Sequence, residues 1–277
     1  MSDFGIPEIY EEEAAGELKE VYHDIKQVLK VPVVNFIFRA LANYPEFLKM
    51  AWTEVRESFL TINMEKTANS IRYPQISLPI QPFHKGQFHL DPSMIHQIKK
   101  EIFIFQYVNP KLSIIASAWA ESLGYRPIDG GKKVWGFISP GIEINLPKVQ
   151  MVKWSEASPA VQKLYLSIMK KHHAFDIASD YRVYAKYPEF LESIWSQLKK
   201  YVGTEDYVKT QEQIKKSAIQ LAHKQMPYPV TINRAQLEKD FTPADIAGIM
   251  GLVSYFQNFL PGLIIETEFI RRLTVSL

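Results

Sequence analysis

Asp180 and Asn109 are the two residues whose types and positions could carry hydrolytic chemistry. A carboxylate can take a proton from water, and an amide that both donates and accepts can hold that water in place. An internal comparison singles them out. The pentapeptide Tyr44-Pro45-Glu46-Phe47-Leu48 recurs as Tyr187-Pro188-Glu189-Phe190-Leu191, an offset of 187 − 44 = 143 residues. At that offset Arg39 meets Arg182, Trp52 meets Trp195 and Tyr22 meets Tyr165, while Asp180 falls opposite Ile37. Further along, Phe105-Gln106 meets Phe256-Gln257 at an offset of 151, Leu112 meets Leu263, and Asn109 falls opposite Leu260. In each case one copy holds a polar group where the other holds an aliphatic one. Burying a polar group is costly unless something bonds it. A carboxylate and an amide converging between two repeats could therefore hold and activate one water.

Both residues have a plainer reading. Asp180, or Ser179 beside it, could cap a helix start, and Asn109 before Pro110 fits an N-cap followed by proline at the first helical position. The other chemistry-bearing residues offer less. The paired His172-His173 sits at the end of a helical pattern, where imidazole favours the helix dipole. His23, His84, His89, His96 and His223 lack metal-ligand spacing, so no metal is expected. The run Gly130-Gly131-Lys132-Lys133 is too short for a phosphate loop, and no cofactor motif occurs.

Composition narrows the field further. With no cysteine in 277 residues, disulfides, thiolate sites and cysteine-based peroxidase chemistry are all excluded. The net charge is +2 with no basic run, which speaks against a nucleic-acid partner. The first twenty residues are acidic and lack the apolar core of a signal peptide, and no apolar run reaches membrane-spanning length. A cytoplasmic protein without a membrane partner is the expectation.

The elements that must position Asp180 and Asn109 read as helices throughout. Leu18, Val21, Tyr22, Ile25, Val28 and Leu29 mark an amphipathic helix over about 10–30. Val33 to Leu41 is a buried segment, and Pro45 opens the next helix. Asp91-Pro92 and Asn109-Pro110 each announce a helix start, the second helix ending at Gly124. Prolines and glycines fill 126–152. The second half repeats this programme from Ser158-Pro159, through Asp176 to Lys186 and Pro188. It ends with a capping box at Thr242 and Asp245, a helix to Phe259, and a last helix opened by Pro261. The fold class is all-α: two pseudo-symmetric helical repeats packed as an intramolecular pseudo-dimer, with repeat 1 at 1–125, a linker at 126–152 and repeat 2 at 153–277.

These residues resemble a known family. Val31-Pro32, Arg39 to Pro45, Trp52, Tyr107-Val108-Asn109-Pro110-Lys111, Arg126-Pro127 and the stretch from His172 through Ala178-Ser179-Asp180 to Pro188 are similar to the group I 2-haloacid dehalogenases, also called halocarboxylic acid dehalogenases. The resemblance covers nearly the whole chain. It implies an all-α fold, usually dimeric, with a cofactor-free active site between the repeats and a small haloacid as substrate. It implies that Asp180 activates a water, that Asn109 helps hold it, and that the water attacks the halogen-bearing carbon directly, with inversion. Phe36 and Ser179 match positions lining the substrate pocket. The chain departs from the family at Val33, where a tryptophan is expected, and at Asn35, where a small residue is expected. Loss of the indole should enlarge the pocket and remove a rigid wall. The rival reading is a family member that binds a small apolar acid without turning it over.

Overall fold

A computed structural model describes residues 5–84 and 86–277. The described chain is all-α, with eleven α-helices and two isolated β-bridges. Helix bounds coincide at the repeat offsets. Thus α1 (Gly16–Leu29) precedes α6 (Pro159–His172) by 143, and α2 (Phe36–Leu41) precedes α7 (Ser179–Tyr184) by the same amount. The starts of α3 (Pro45–Phe59) and α4 (Ile62–Ser70) relate likewise to those of α8 (Pro188–Leu198) and α9 (Glu205–Gln225). After α10 (Arg234–Asp240), α11 (Pro243–Leu273) starts 151 residues beyond α5 (Pro92–Leu123). This correspondence supports reading the halves as copies of one unit.

Local chemistry sets most helix starts. Asp91 accepts from Ser93 and Met94 backbone N–H groups ahead of Pro92, and Thr242 and Asp245 form the expected capping box. The two long helices depart from expectation. Asn109-Pro110 and Pro261 do not open new helices; α5 and α11 each run straight through their proline. An internal proline forfeits the bond to the carbonyl four residues back, here Gln106 and Gln257, at about 3 kcal/mol. Tertiary burial outweighs that cost. The two helices form the most extensive helix pair of the fold, α9 packs on both, and most of α5 from Ile98 to Leu123 is buried.

By length and composition α11 could span a membrane, contrary to the expectation that no segment reaches that length. It is a core helix instead, with Ile249, Phe256, Leu260, Ile264 and Phe269 buried inside the fold. The stretch 126–152 is docked rather than free: Ile128 and Val230 exchange backbone bonds of 2.9 Å, and Ile62 N–H donates to the Gly136 carbonyl at 2.9 Å. Gly130, at φ +68°, passes so close to Tyr228 and Pro229 that a Cβ would lie 2.6 Å from their backbone.

Candidate active site

The starts of α2 and α7 and the middles of α5 and α11 line a small cavity of about 20 Å³. Its lining repeats the internal comparison. Asn35, Phe36 and Ile37 face Ala178, Ser179 and Asp180, while Phe105, Asn109 and Leu112 face Phe256, Leu260 and Leu263. Each of these pairs is related by one of the two offsets, so the cavity lies where the halves meet. Phe259 completes the wall. The surroundings are largely apolar, and Asp180 and Asn109 stand among them.

Asp180 is the second residue of α7, whose N-cap is Ala178, so it does not cap the helix. Its Oδ1 accepts from the Tyr181 N–H at 3.1 Å, and the nearby Asn109 side chain slightly favours its charged form. Among the described residues it has no cationic partner, although it is 3% exposed. Burial, and next the charge of Glu266, push its pKa up to about 7. A carboxyl poised there is half ionised near neutrality and is a far stronger base than an exposed aspartate.

Asn109 lies mid-helix in α5, just before Pro110, and is buried. The capping reading fails because the helix never stops there. The Thr267 hydroxyl donates to the Leu263 carbonyl at 2.6 Å, so its oxygen is free to accept from Asn109 Nδ2, at a long 3.4 Å. With Nδ2 donating to Thr267, the Asn109 amide still carries an oxygen that can accept.

The halocarboxylic acid dehydrogenase DehI family model matches residues 32–181, a span that holds both Asn109 and Asp180. The chain is 30% identical over 268 residues to an (R)-2-haloacid dehalogenase of Pseudomonas putida, covering 92% of this chain and 88% of the relative. It is 28% identical over 271 residues to a configuration-inverting 2-haloacid dehalogenase of Alcaligenes xylosoxydans xylosoxydans, covering 94% and 90%. This chain belongs to the DehI family. A solved D-2-haloacid dehalogenase in complex with L-LA superposes at a TM-score of 0.91 and 27% identity, over 98% of this chain and 96% of that one. The family fold is therefore all-α, and the curated relatives are carbon–halide hydrolases.

Within this family member the site residues expected from sequence separate into two groups. Asp180, Asn109, Asn35, Phe36 and Ser179 share the cavity wall. Val33 does not: it is buried outside the lining. Asn35 is the N-cap residue of α2 but makes no side-chain cap, and its buried Oδ1 has no partner among the described residues. Ser179 does not cap α7 either; its Oγ accepts from Arg39 Nη2 at 3.0 Å.

Sequence reasoning missed Glu266. This residue of α11 is 1% exposed, accepting from the Tyr181 hydroxyl at 2.5 Å and from the Tyr207 hydroxyl. Burial raises its pKa while the two tyrosine bonds oppose the rise. Tyr181 joins the two carboxylates, since its N–H holds Asp180 and its hydroxyl holds Glu266. The signal was present: at offset 151 Glu266 stands opposite Ile115, the same polar-for-apolar exchange that marked Asn109. Gly262 makes room for this cluster, because a Cβ there would lie 2.5 Å from the Tyr207 hydroxyl. His172 also needs correction. Its Nδ1 lies 3.5 Å from Glu266, its ring packs on Trp195, and burial pushes its pKa down to about 4. It is uncharged at neutral pH and so contributes no cationic charge to the helix end. Among the described residues no cluster of metal-ligating side chains occurs.

Proposed function

We propose that this chain hydrolyses the carbon–halogen bond of short 2-halocarboxylic acids, with Asp180 as the base that activates water for direct attack. In this reaction a water oxygen forms a bond to C2 from the face opposite the halogen. The carbon–halogen bond breaks with its electron pair, halide leaves, and the water proton goes to Asp180 and later to solvent. The product is the 2-hydroxy acid of inverted configuration. One water O–H would donate to Asp180 and the other to Asn109 Oδ1, which turns the oxygen lone pair toward the carbon.

The observation that carries the reading is the pairing itself: a buried aspartate with no cationic partner among the described residues, sharing with an amide the wall of an apolar cavity with space for roughly one ordered water. The small apolar walls favour short acids. Relatives named configuration-inverting 2-haloacid dehalogenases support the stereochemical outcome. Paired Asp180 and Asn109 suit a held water better than a covalent ester, whose hydrolysis would need another group to activate the water.

Two measurements test this. Halide release is followed across a panel of 2-chloro and 2-bromo acids; none from any of them would overturn the assignment. A single turnover with excess enzyme in heavy-oxygen water should label the hydroxy acid and leave the Asp180 peptide unlabelled. Label in that peptide would replace direct attack by covalent catalysis.

A further inference from the structure

Ser179 lines the cavity, and what fixes its hydroxyl lies behind the wall. Arg39 is fully buried, and each nitrogen of its planar fork has a partner. Nε donates to Glu8 Oε2 at 2.8 Å, Nη1 donates to the Val34 carbonyl, and Nη2 lies 2.7 Å from Glu8 Oε2 and donates to Ser179 Oγ at 3.0 Å. The repeat mate of Arg39 is Arg182, and Glu8 joins the two. Arg182 Nη1 donates to Glu8 Oε1 at 2.7 Å and Nη2 to Asp176 Oδ1 at 2.8 Å. One carboxylate from the N-terminal segment thus bridges both arginines where the halves meet.

The halves differ in what each arginine faces. At offset 143 Ser179 stands opposite Phe36. Both guanidiniums lie about 6 Å from the Phe36 ring centre, Arg182 at 5.8 Å and Arg39 at 6.0 Å, but only Arg39 also reaches across to the Ser179 hydroxyl. That bond is not needed to neutralise Arg39, since Glu8 and Asp176 already balance the two guanidiniums. Its consequence falls on the serine. A hydroxyl whose oxygen accepts from a guanidinium is turned so that its own proton points elsewhere, and an arginine can never accept that proton. Among the described residues Ser179 Oγ has no acceptor for it. The free O–H belongs to a cavity-lining residue, and the cationic donor behind it makes it a stronger donor.

We propose that Arg39 is a positioning residue that turns the Ser179 hydroxyl into a hydrogen-bond donor for the carboxylate of the bound acid. This rests on the haloacid reading of the cavity and adds to it the group that recognises the acid function. A serine hydroxyl without the Arg39 donor could accept as well as donate and would discriminate less between an acid and its amide.

Binding of propanoate and of propanamide to the full-length protein, followed by calorimetry, separates this role from a purely structural one. The proteins compared are wild type, Ser179→Ala, Arg39→Lys and the double variant; Arg39→Gln replaces Arg39→Lys should the latter lose its cooperative melting transition. A lost hydrogen bond to a charged group corresponds to a fall of roughly tenfold or more in affinity. Ser179→Ala and Arg39→Lys should each lose about that much propanoate affinity and little propanamide affinity, and the double variant should bind propanoate no worse than Ser179→Ala. KM for 2-chloropropanoate should rise more than kcat falls. Retained preference for propanoate in the Arg39 variant, or losses that multiply in the double variant, would overturn the proposal. Wild-type halide release with such multiplying losses removes only this inference. Absence of both halide release and propanoate binding in the wild type removes the haloacid reading together with it.

Discussion

Replacing Asp180 by asparagine should trade activity for stability, and the size of the trade follows from its burial. The carboxyl is shifted from 3.8 to about 7, a rise of roughly three units, and at ~1.36 kcal/mol per unit this amounts to about 4 kcal/mol. The sign follows from linkage. A raised aspartate binds its proton more tightly in the folded protein, so it costs nothing below the unfolded value. The cost grows as pH climbs from about 4 to about 7 and is fully present above that. The neutral amide carries no such cost, but it gives up one bond to its neighbours, worth about 1 kcal/mol. Urea melts of the Asp180→Asn variant should therefore show a gain of about 3 kcal/mol over wild type near pH 9, shrinking toward zero or slightly below near pH 4. Turnover of a 2-chloro acid should meanwhile drop by roughly two to four orders of magnitude. A variant less stable than wild type at alkaline pH, or a difference independent of pH, would refute the buried-base argument. Activity within a few-fold of wild type would refute the catalytic role.

Three further outcomes are expected. Ile37→Asp puts a second carboxyl on the opposite wall, at a site 1% exposed, and should destabilise by about 3 kcal/mol or more in chemical melts near neutral pH. Glu266→Gln removes the second-largest cause of the Asp180 shift, so the rising limb of the kcat/KM profile should move to lower pH; an unmoved limb would separate Glu266 from the base. Gly262→Ala drives a Cβ to 2.5 Å from the Tyr207 hydroxyl and should lower the melting temperature by an amount equivalent to about 1–3 kcal/mol. A neutral effect there would show that the Tyr207–Glu266 contact has room to move.

Much of this protein is determined by its sequence alone, because local rules and a duplication leave linear traces. Proline after Asp91, Ser158 and Thr242 marks true helix starts, since a residue without an N–H costs nothing in the first turn. The repeated pentapeptide sets the offset, and the offset exposes Asp180 and Asn109, because a polar residue in a copy of an apolar site must be bonded or used. The same rules misread Asn109-Pro110 and Pro261, where burial of α5 against α11 overrides the local preference and keeps one helix. Only the tertiary structure decided what surrounds the carboxylate. Glu266 lies 86 residues beyond Asp180 in sequence (266 − 180) and approaches it only because α11 meets α7 through the Tyr181–Glu266 bond. Glu8 and Ser179 meet at Arg39 from distant parts of the chain. Base strength and hydroxyl orientation depend on burial and on neighbours from other helices. A linear sequence states which groups are available, and folding determines which of them are close enough, and dry enough, to shift one another.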